Sequence, residues 1–248
     1  MNSIRLEICT ASVEDCVKAE AGGADRVELN CALMLGGLTP SLGAVREARA
    51  AVRLPIIVMI RPRAAGFCYS QTEFAVMQRD AELALAEKAD GVAFGFLRAN
   101  GELDLKRCRE MIKLAKGRQT VFHRAFDVVK EPLTVLEQLI DLGVTRVMTS
   151  GQEASAYNGA SQIAEYIRQA AGRIEILPAG GINRFTVADV IQRTGCSQVH
   201  ASLSTISTDP SAAARPQVSF GGVVKQSEQE FTVTDANAVR KLRLALAK

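Results

Sequence analysis

The sequence predicts an α/β fold of the TIM-barrel class. A single (β/α)8 domain over residues 1–248 would carry an irregular segment, 204–231, before its C-terminal helix. Three observations lead there. Four helix-to-strand junctions repeat one pattern: Gly22-Gly23-Ala24-Asp25-Arg26-Val27, Ala89-Asp90-Gly91-Val92, Gly143-Val144-Thr145-Arg146-Val147 and Gly195-Cys196-Ser197-Gln198-Val199. In three of these glycine ends the helix, where a left-handed residue is wanted, and a β-branched strand follows. Strands and helices alternate about eight times, which implies a parallel sheet with right-handed crossovers. The length of 248 residues matches the roughly 250 of a typical closed barrel. The runner-up, an open doubly wound sheet, gives no reason for eight evenly sized units, and no GxGxxG follows the first strand.

In chain order, residues 4–9 read as the first strand and 13–21 as its helix, followed by a strand at 26–30. Thr39 and Pro40 suit the cap and first turn of a helix reaching about Val52. Residues 56–60 form a continuous apolar run, as a strand buried on both faces requires. A long helix over 73–88 shows apolar spacing at 74, 77, 81, 84 and 85. The fourth strand is 92–96, and Asp104 caps the helix to Lys116. Then come a strand at 120–123, a helix at 132–142 closed by Gly143, a strand at 146–149 and a helix at 159–171. The last barrel elements are a strand at 174–177, a helix at 185–194 and a strand at 198–202. Residues 204–231 carry Pro210, Pro216 and Gly221-Gly222 without helical period; a loop of this length is usually functional or disordered, and a subunit contact and a lid are the roles open to it. A helix at 235–247 closes the chain.

Composition narrows the function. Net charge is +3 without a Lys/Arg block, so nucleic acid and anionic membrane are not expected partners. No apolar run approaches the roughly 20 residues that span a bilayer, and residues 1–7 have no signal-peptide core, so a cytoplasmic location is expected. The 6 cysteines form no CxxC pair and default to free thiols.

Barrel chemistry sits at the C-terminal ends of the strands, and here those ends are polar: Glu7 and Cys9, Glu28 with Asn30 and Cys31, Arg61 and Arg63, His123 with Arg124 and Asp127, Thr149 and Ser150, Gly180-Gly181, His200 and Ser202. Period-2 alternation puts Leu6, Ile8, Val27 and Leu29 toward the helices and Glu7, Cys9, Glu28 and Asn30 toward the barrel axis. Adjacent carboxylates raise each other's pKa unless cations neutralise them; Arg61, Arg63, Arg124 and His123 are the expected cations. Glu7, Glu28, His123 and Asp127 are candidates for acid–base work. Arg61, Arg63, Arg124, Ser150, Gly180, Gly181, His200 and Ser202 are candidates for holding a small anionic substrate, phosphorylated in one version, because glycines let backbone N–H groups approach an anion. Such a set also occurs as a structural ion-pair network. Cys9 and Cys31 end neighbouring strands roughly 4.8 Å apart, and two thiolates suit Cu(I).

The strand-end set resembles the CutC family, known as copper homeostasis proteins. The matching stretches are Leu6-Glu7-Ile8-Cys9, Gly22-Gly23-Ala24-Asp25-Arg26-Val27-Glu28-Leu29, Val58-Met59-Ile60-Arg61-Pro62-Arg63, Phe122-His123-Arg124-Ala125-Phe126-Asp127, Thr149-Ser150-Gly151 and Gly180-Gly181-Ile182-Asn183. The resemblance implies a cytosolic TIM barrel that assembles as a homodimer or larger, up to a tetramer, and that handles copper, bound as Cu(I) in some members by cysteines ending strands 1 and 2. Cys9 matches the first of these. Asn30 stands at the second, with Cys31 one residue later, and an offset of one turns the side chain to the other face. Two functions are therefore carried forward: Cu(I) binding through Cys9 and Cys31, and a barrel enzyme of unassigned reaction on a small anion. A scaffold whose barrel only mediates assembly is a third reading.

Overall fold

The computed structural model describes residues 4–220 and 227–246. Among them, eight parallel strands form one sheet: β1 (Arg5–Thr10), β2 (Arg26–Leu29), β3 (Ile56–Met59), β4 (Gly91–Phe94), β5 (Gln119–Phe122), β6 (Arg146–Thr149), β7 (Glu175–Pro178) and β8 (Gln198–Ala201). Their order is β7-β6-β5-β4-β3-β2-β1-β8, and a parallel bridge from Ala179 to His200 joins the two ends. The alternation therefore closes into the TIM barrel that it predicts. Helices α1 (Val13–Gly22), α2 (Leu42–Ala51), α3 (Gln71–Ala86), α4 (Leu105–Ala115), α5 (Pro132–Asp141), α6 (Ala160–Ala170) and α7 (Val187–Thr194) follow the first seven strands, and α8 (Ala236–Leu246) returns to pack beside α1. That approach is close. A Cβ on Gly22 would lie 2.5 Å from Val239 Cβ, which accounts for glycine in the last turn of α1.

Two cores result from the alternation. Leu6, Ile8, Val27, Leu29, Val58, Phe94 and Val147 face the helices, and Ile57, Met59, Ala93, Val121, Met148, Leu177 and Ala179 fill the barrel. Beneath the inner layer, the first residues of five strands close the N-terminal end by side-chain hydrogen bonds: Arg26 to Gln198, Gln198 to Glu175, Glu175 to Arg146 and Arg146 to Gln119.

Several boundaries differ from the sequence reading, for local reasons. Helix α2 starts at Leu42 because the Ser41 hydroxyl accepts the Ala44 N–H, while the expected cap, Thr39, accepts the Arg61 N–H at 2.9 Å. Helix α3 starts at Gln71, since Ser70 and Glu73 form a capping box that places Glu73 in the first turn. Helix α7 waits until Val187, because the Asn183 carboxamide accepts the Phe185 N–H and holds a turn there. The segment expected to be irregular carries two antiparallel strands, β9 (Ser204–Thr208) and β10 (Glu230–Thr234), with Phe231 opposite Ser207. Gly221 and Gly222 fall outside the described residues. The Thr234 N–H donates to the buried Asp15 carboxylate at 2.6 Å, tying this pair of strands to α1.

Candidate functional site

In-register pairing sets Cys9 beside Glu28 and Glu7 beside His200. Their side chains point inward, while Leu6, Ile8, Val27 and Leu29 are fully buried against the helices. Above the inner apolar layer, at the C-terminal ends of the strands, opens a cavity of about 510 Å³. Cys9, Glu28, Asn30, Arg61, His123, Arg124, Asp127, Gly180, Gly181, His200 and Ser202 line it; Glu7, Cys31, Arg63 and Ser150 do not.

Glu7 lies one layer below, fully buried, and holds two cations. Arg26 Nε donates to its Oε2, and His200 Nδ1 lies 2.8 Å from its Oε1. Burial alone would raise the Glu7 carboxyl, but Arg26, then the His200 contact and the more distant Arg146, hold it well below the usual carboxylate range. The expected cations were Arg61, Arg63, Arg124 and His123. Arg26 and His200 fill that role instead, because Arg26 shares the inward face with Glu28 at the start of the same strand.

His200 turns its other nitrogen to the cavity. Cys9 Sγ, a Glu28 carboxylate oxygen and a His200 ring nitrogen all lie within 4.8 Å of one another. Asn30 Nδ2 donates to Cys9 Sγ at 3.5 Å and to Glu28 Oε2 at 3.1 Å, while Glu28 Oε1 is buried with no partner. Burial pulls the His200 pKa down, but hydrogen bonds to Cys9 and Glu7 and the two carboxylate charges lift it well above the ordinary histidine value. Burial pushes up both the Cys9 thiol and the Glu28 carboxyl, against the opposing charge of His200.

The opposite wall is built by β3 and β5. Arg61 is 7% exposed, and its terminal nitrogens donate to the carbonyls of Leu35, Gly37 and Ala65 at 2.9–3.0 Å. His123 caps the turn after β5: its Nδ1 accepts the Ala125 N–H at 3.1 Å, so its proton sits on Nε2. Burial, then the Arg61 charge, drives its pKa down to about 3, so the ring is neutral at physiological pH. Gly95 makes room for it, since a Cβ there would lie 2.5 Å from His123 Cε1.

The other candidates are committed elsewhere. Arg63 pairs with Glu73 and stacks over Tyr69. Arg124 donates to Asp127 at 2.7 Å and to Ser150 Oγ at 2.8 Å. Asp127 in turn accepts from Thr149 and from the Ser150 backbone, knitting the ends of β5 and β6. Gly180 and Gly181 both have positive φ, and the Gly181 carbonyl accepts from Asn183 and Thr186. Cys31 donates its thiol to the Thr39 carbonyl at 3.1 Å, off the cavity.

The family model of CutC matches residues 4–205. The chain belongs to the CutC family. A CutC protein of Treponema denticola is 47% identical over 98% of each chain. The human copper homeostasis protein cutC homolog is 39% identical, covering 100% of this chain and 90% of its own. A crystal structure of a CutC protein from Streptococcus agalactiae superposes with a TM-score of 0.76 at 30% identity, covering 79% of this chain and 97% of that one. A thiamine phosphate pyrophosphorylase from Pyrococcus furiosus matches at TM-score 0.60 and 14% identity, a likeness of fold alone. Among the described residues, no helix is long and apolar enough to cross a membrane.

Proposed function

We propose that this CutC-family chain serves copper homeostasis in the cytoplasm by binding Cu(I) as a homo-oligomer, dimer or tetramer, with Cys9 as the central ligand. The observation that carries the reading is the convergence of the Cys9 thiol, the His200 imidazole and the Glu28 carboxylate within 4.8 Å on the cavity wall. Cu(I) prefers soft donors; a thiolate and an imidazole supply two, and Glu28 adds a negative charge beside them. Glu7 occupies His200 Nδ1, which leaves Nε2 to the metal, the carboxylate–histidine–metal arrangement that fixes ring orientation. Glu28 Oε1, buried without a partner, is a free donor at the same place. Cys31 is left out, since its thiol is bonded to Thr39 and off the cavity wall.

The test is an anaerobic titration with Cu(I) against a chromophoric competitor. Wild type is expected to bind one Cu(I), Cys9→Ser and His200→Ala to lose it, and Cys31→Ser to keep it. Equal binding by wild type and Cys9→Ser refutes the reading.

A further inference from the structure

On the wall facing the copper-binding cluster sits a buried cation without a counter-ion. Among the described residues, no carboxylate lies in salt-bridge range of Arg61, although only 7% of it is exposed. Three backbone carbonyls engage its terminal nitrogens, its charge bears on the buried Tyr69 hydroxyl, and Nε is buried with no hydrogen bond. His123 Nε2 is likewise buried with no partner. Both side chains line the same cavity and pack on one ring: Arg61 Cζ is 5.4 Å from the Phe67 centroid and the His123 ring 5.0 Å from it. Buried charges are normally paired, and an unmet buried donor is destabilising. Two such groups side by side on a cavity wall mark the place of a missing acceptor.

We propose that Arg61 and His123 form a subsite for a small carboxylate, with Arg61 Nε–H and His123 Nε2–H donating to its oxygens beside the Phe67 ring. The guanidinium supplies the positive charge. The imidazole, kept neutral by burial and by Arg61, supplies a donor without adding a second charge. A monoanion fits the site better than a phosphate dianion, because Arg61 supplies a single positive charge without a carboxylate partner and Glu28 lies across the cavity. Arg124, the other cation on the wall, is already neutralised by Asp127, and the Gly181 carbonyl is turned into its own loop. The subsite is independent of copper. With the Cys9, Glu28 and His200 cluster opposite, it gives the cavity one wall for an anionic head and one for acid–base groups or a metal, the layout of a site that positions a small organic acid.

The test uses metal-free protein in the presence of a chelator, so that its outcome is separate from copper binding. Pyruvate and acetate are the carboxylate probes and inorganic phosphate the contrast, followed by 1H–15N spectra of histidine-labelled protein and by calorimetry. Saturable carboxylate binding is expected, with a shift of the His123 Nε2 resonance and at least about tenfold weaker binding in His123→Asn, which keeps a cap acceptor for the Ala125 N–H and loses the Nε2 donor. Folding of the variant is checked in the same spectra, and the wild-type resonance shift reads the contact directly. Absence of saturable carboxylate binding overturns the proposal. So does phosphate binding more tightly than pyruvate, or carboxylate binding that leaves the His123 resonance unmoved.

Discussion

The neutral state of His123 has a measurable consequence for stability. In the fold its pKa falls to about 3, through burial and the neighbouring Arg61 charge, whereas an unfolded histidine titrates near 6.5. The native state therefore binds fewer protons than the unfolded chain, and stability is lost as pH falls below about 6.5. Between pH 7.5 and 5.0 the unfolded chain gains nearly a full proton at this position while the native state gains almost none. Integrating the linkage relation gives about 2 kcal/mol lost over that interval, a figure insensitive to the native value as long as it stays well below 5. His200 works in the opposite direction: its folded pKa is raised, so its contribution is present at low pH and fades as pH rises through that value. The two must be separated by a difference. Urea unfolding of wild type and His123→Asn at pH 7.5 and 5.0 does this, since His200 is common to both. Wild type should lose about 2 kcal/mol more on acidification than the variant. Equal losses, or a His123 ring that titrates above pH 5 in the native protein, would refute the reasoning.

Two further substitutions probe the layers on either side of His200. Arg26→Met strips the buried Glu7 carboxylate of its strongest partner and should cost about 3–5 kcal/mol in urea unfolding. Adding Glu7→Gln should recover a large part of that loss, and an additive pair would show that the ion pair is not what Arg26 contributes. Asn30→Cys places a second thiol beside Cys9, where Asn30 Nδ2 now lies 3.5 Å from Cys9 Sγ. It should tighten Cu(I) binding at least about tenfold by supplying a second soft ligand, and an unchanged competitor titration would count against Cys9 as the copper ligand.

The barrel was legible because strand and helix alternate about eight times, and a helix-to-strand junction ended by glycine in three of four cases recurs along the chain. The inward set of Glu7, Cys9, Glu28 and Asn30 follows from period-2 alternation along the strands. Arg26 was readable too: it stands two residues before Glu28 and shares its face, but attention to the C-terminal ends of strands passes over a strand's first residue. Phe67 carried no signal, because it lies in the connection between β3 and α3, where no period applies. Gly95 is informative only once the His123 ring is known to press on it. The pairing of β9 with β10 was hidden by sequence separation. Thr208 and Glu230 are partners, and a connection that long has none of the tight-turn chemistry that announces a hairpin.

The position of Asn30 explains why the two walls of the cavity differ. Past the last residue of β2 the chain stays extended: the Asn30 N–H donates to the Thr10 carbonyl, and Cys31 forms an antiparallel bridge with Leu38. Alternation therefore persists through residue 31, which keeps Asn30 inward and sends Cys31 to Thr39. An amide at this point gives a neutral donor where a thiolate would add a negative charge. The cluster then holds Glu7 answered by Arg26 and by His200, whose other side faces Glu28 and the Cys9 thiol. Arg61 is not needed for that balance and is fixed by backbone carbonyls on the far side. Its charge is thus left on the cavity wall without a carboxylate partner among the described residues, and the same one-residue register keeps the Cys31 thiol out of the cavity.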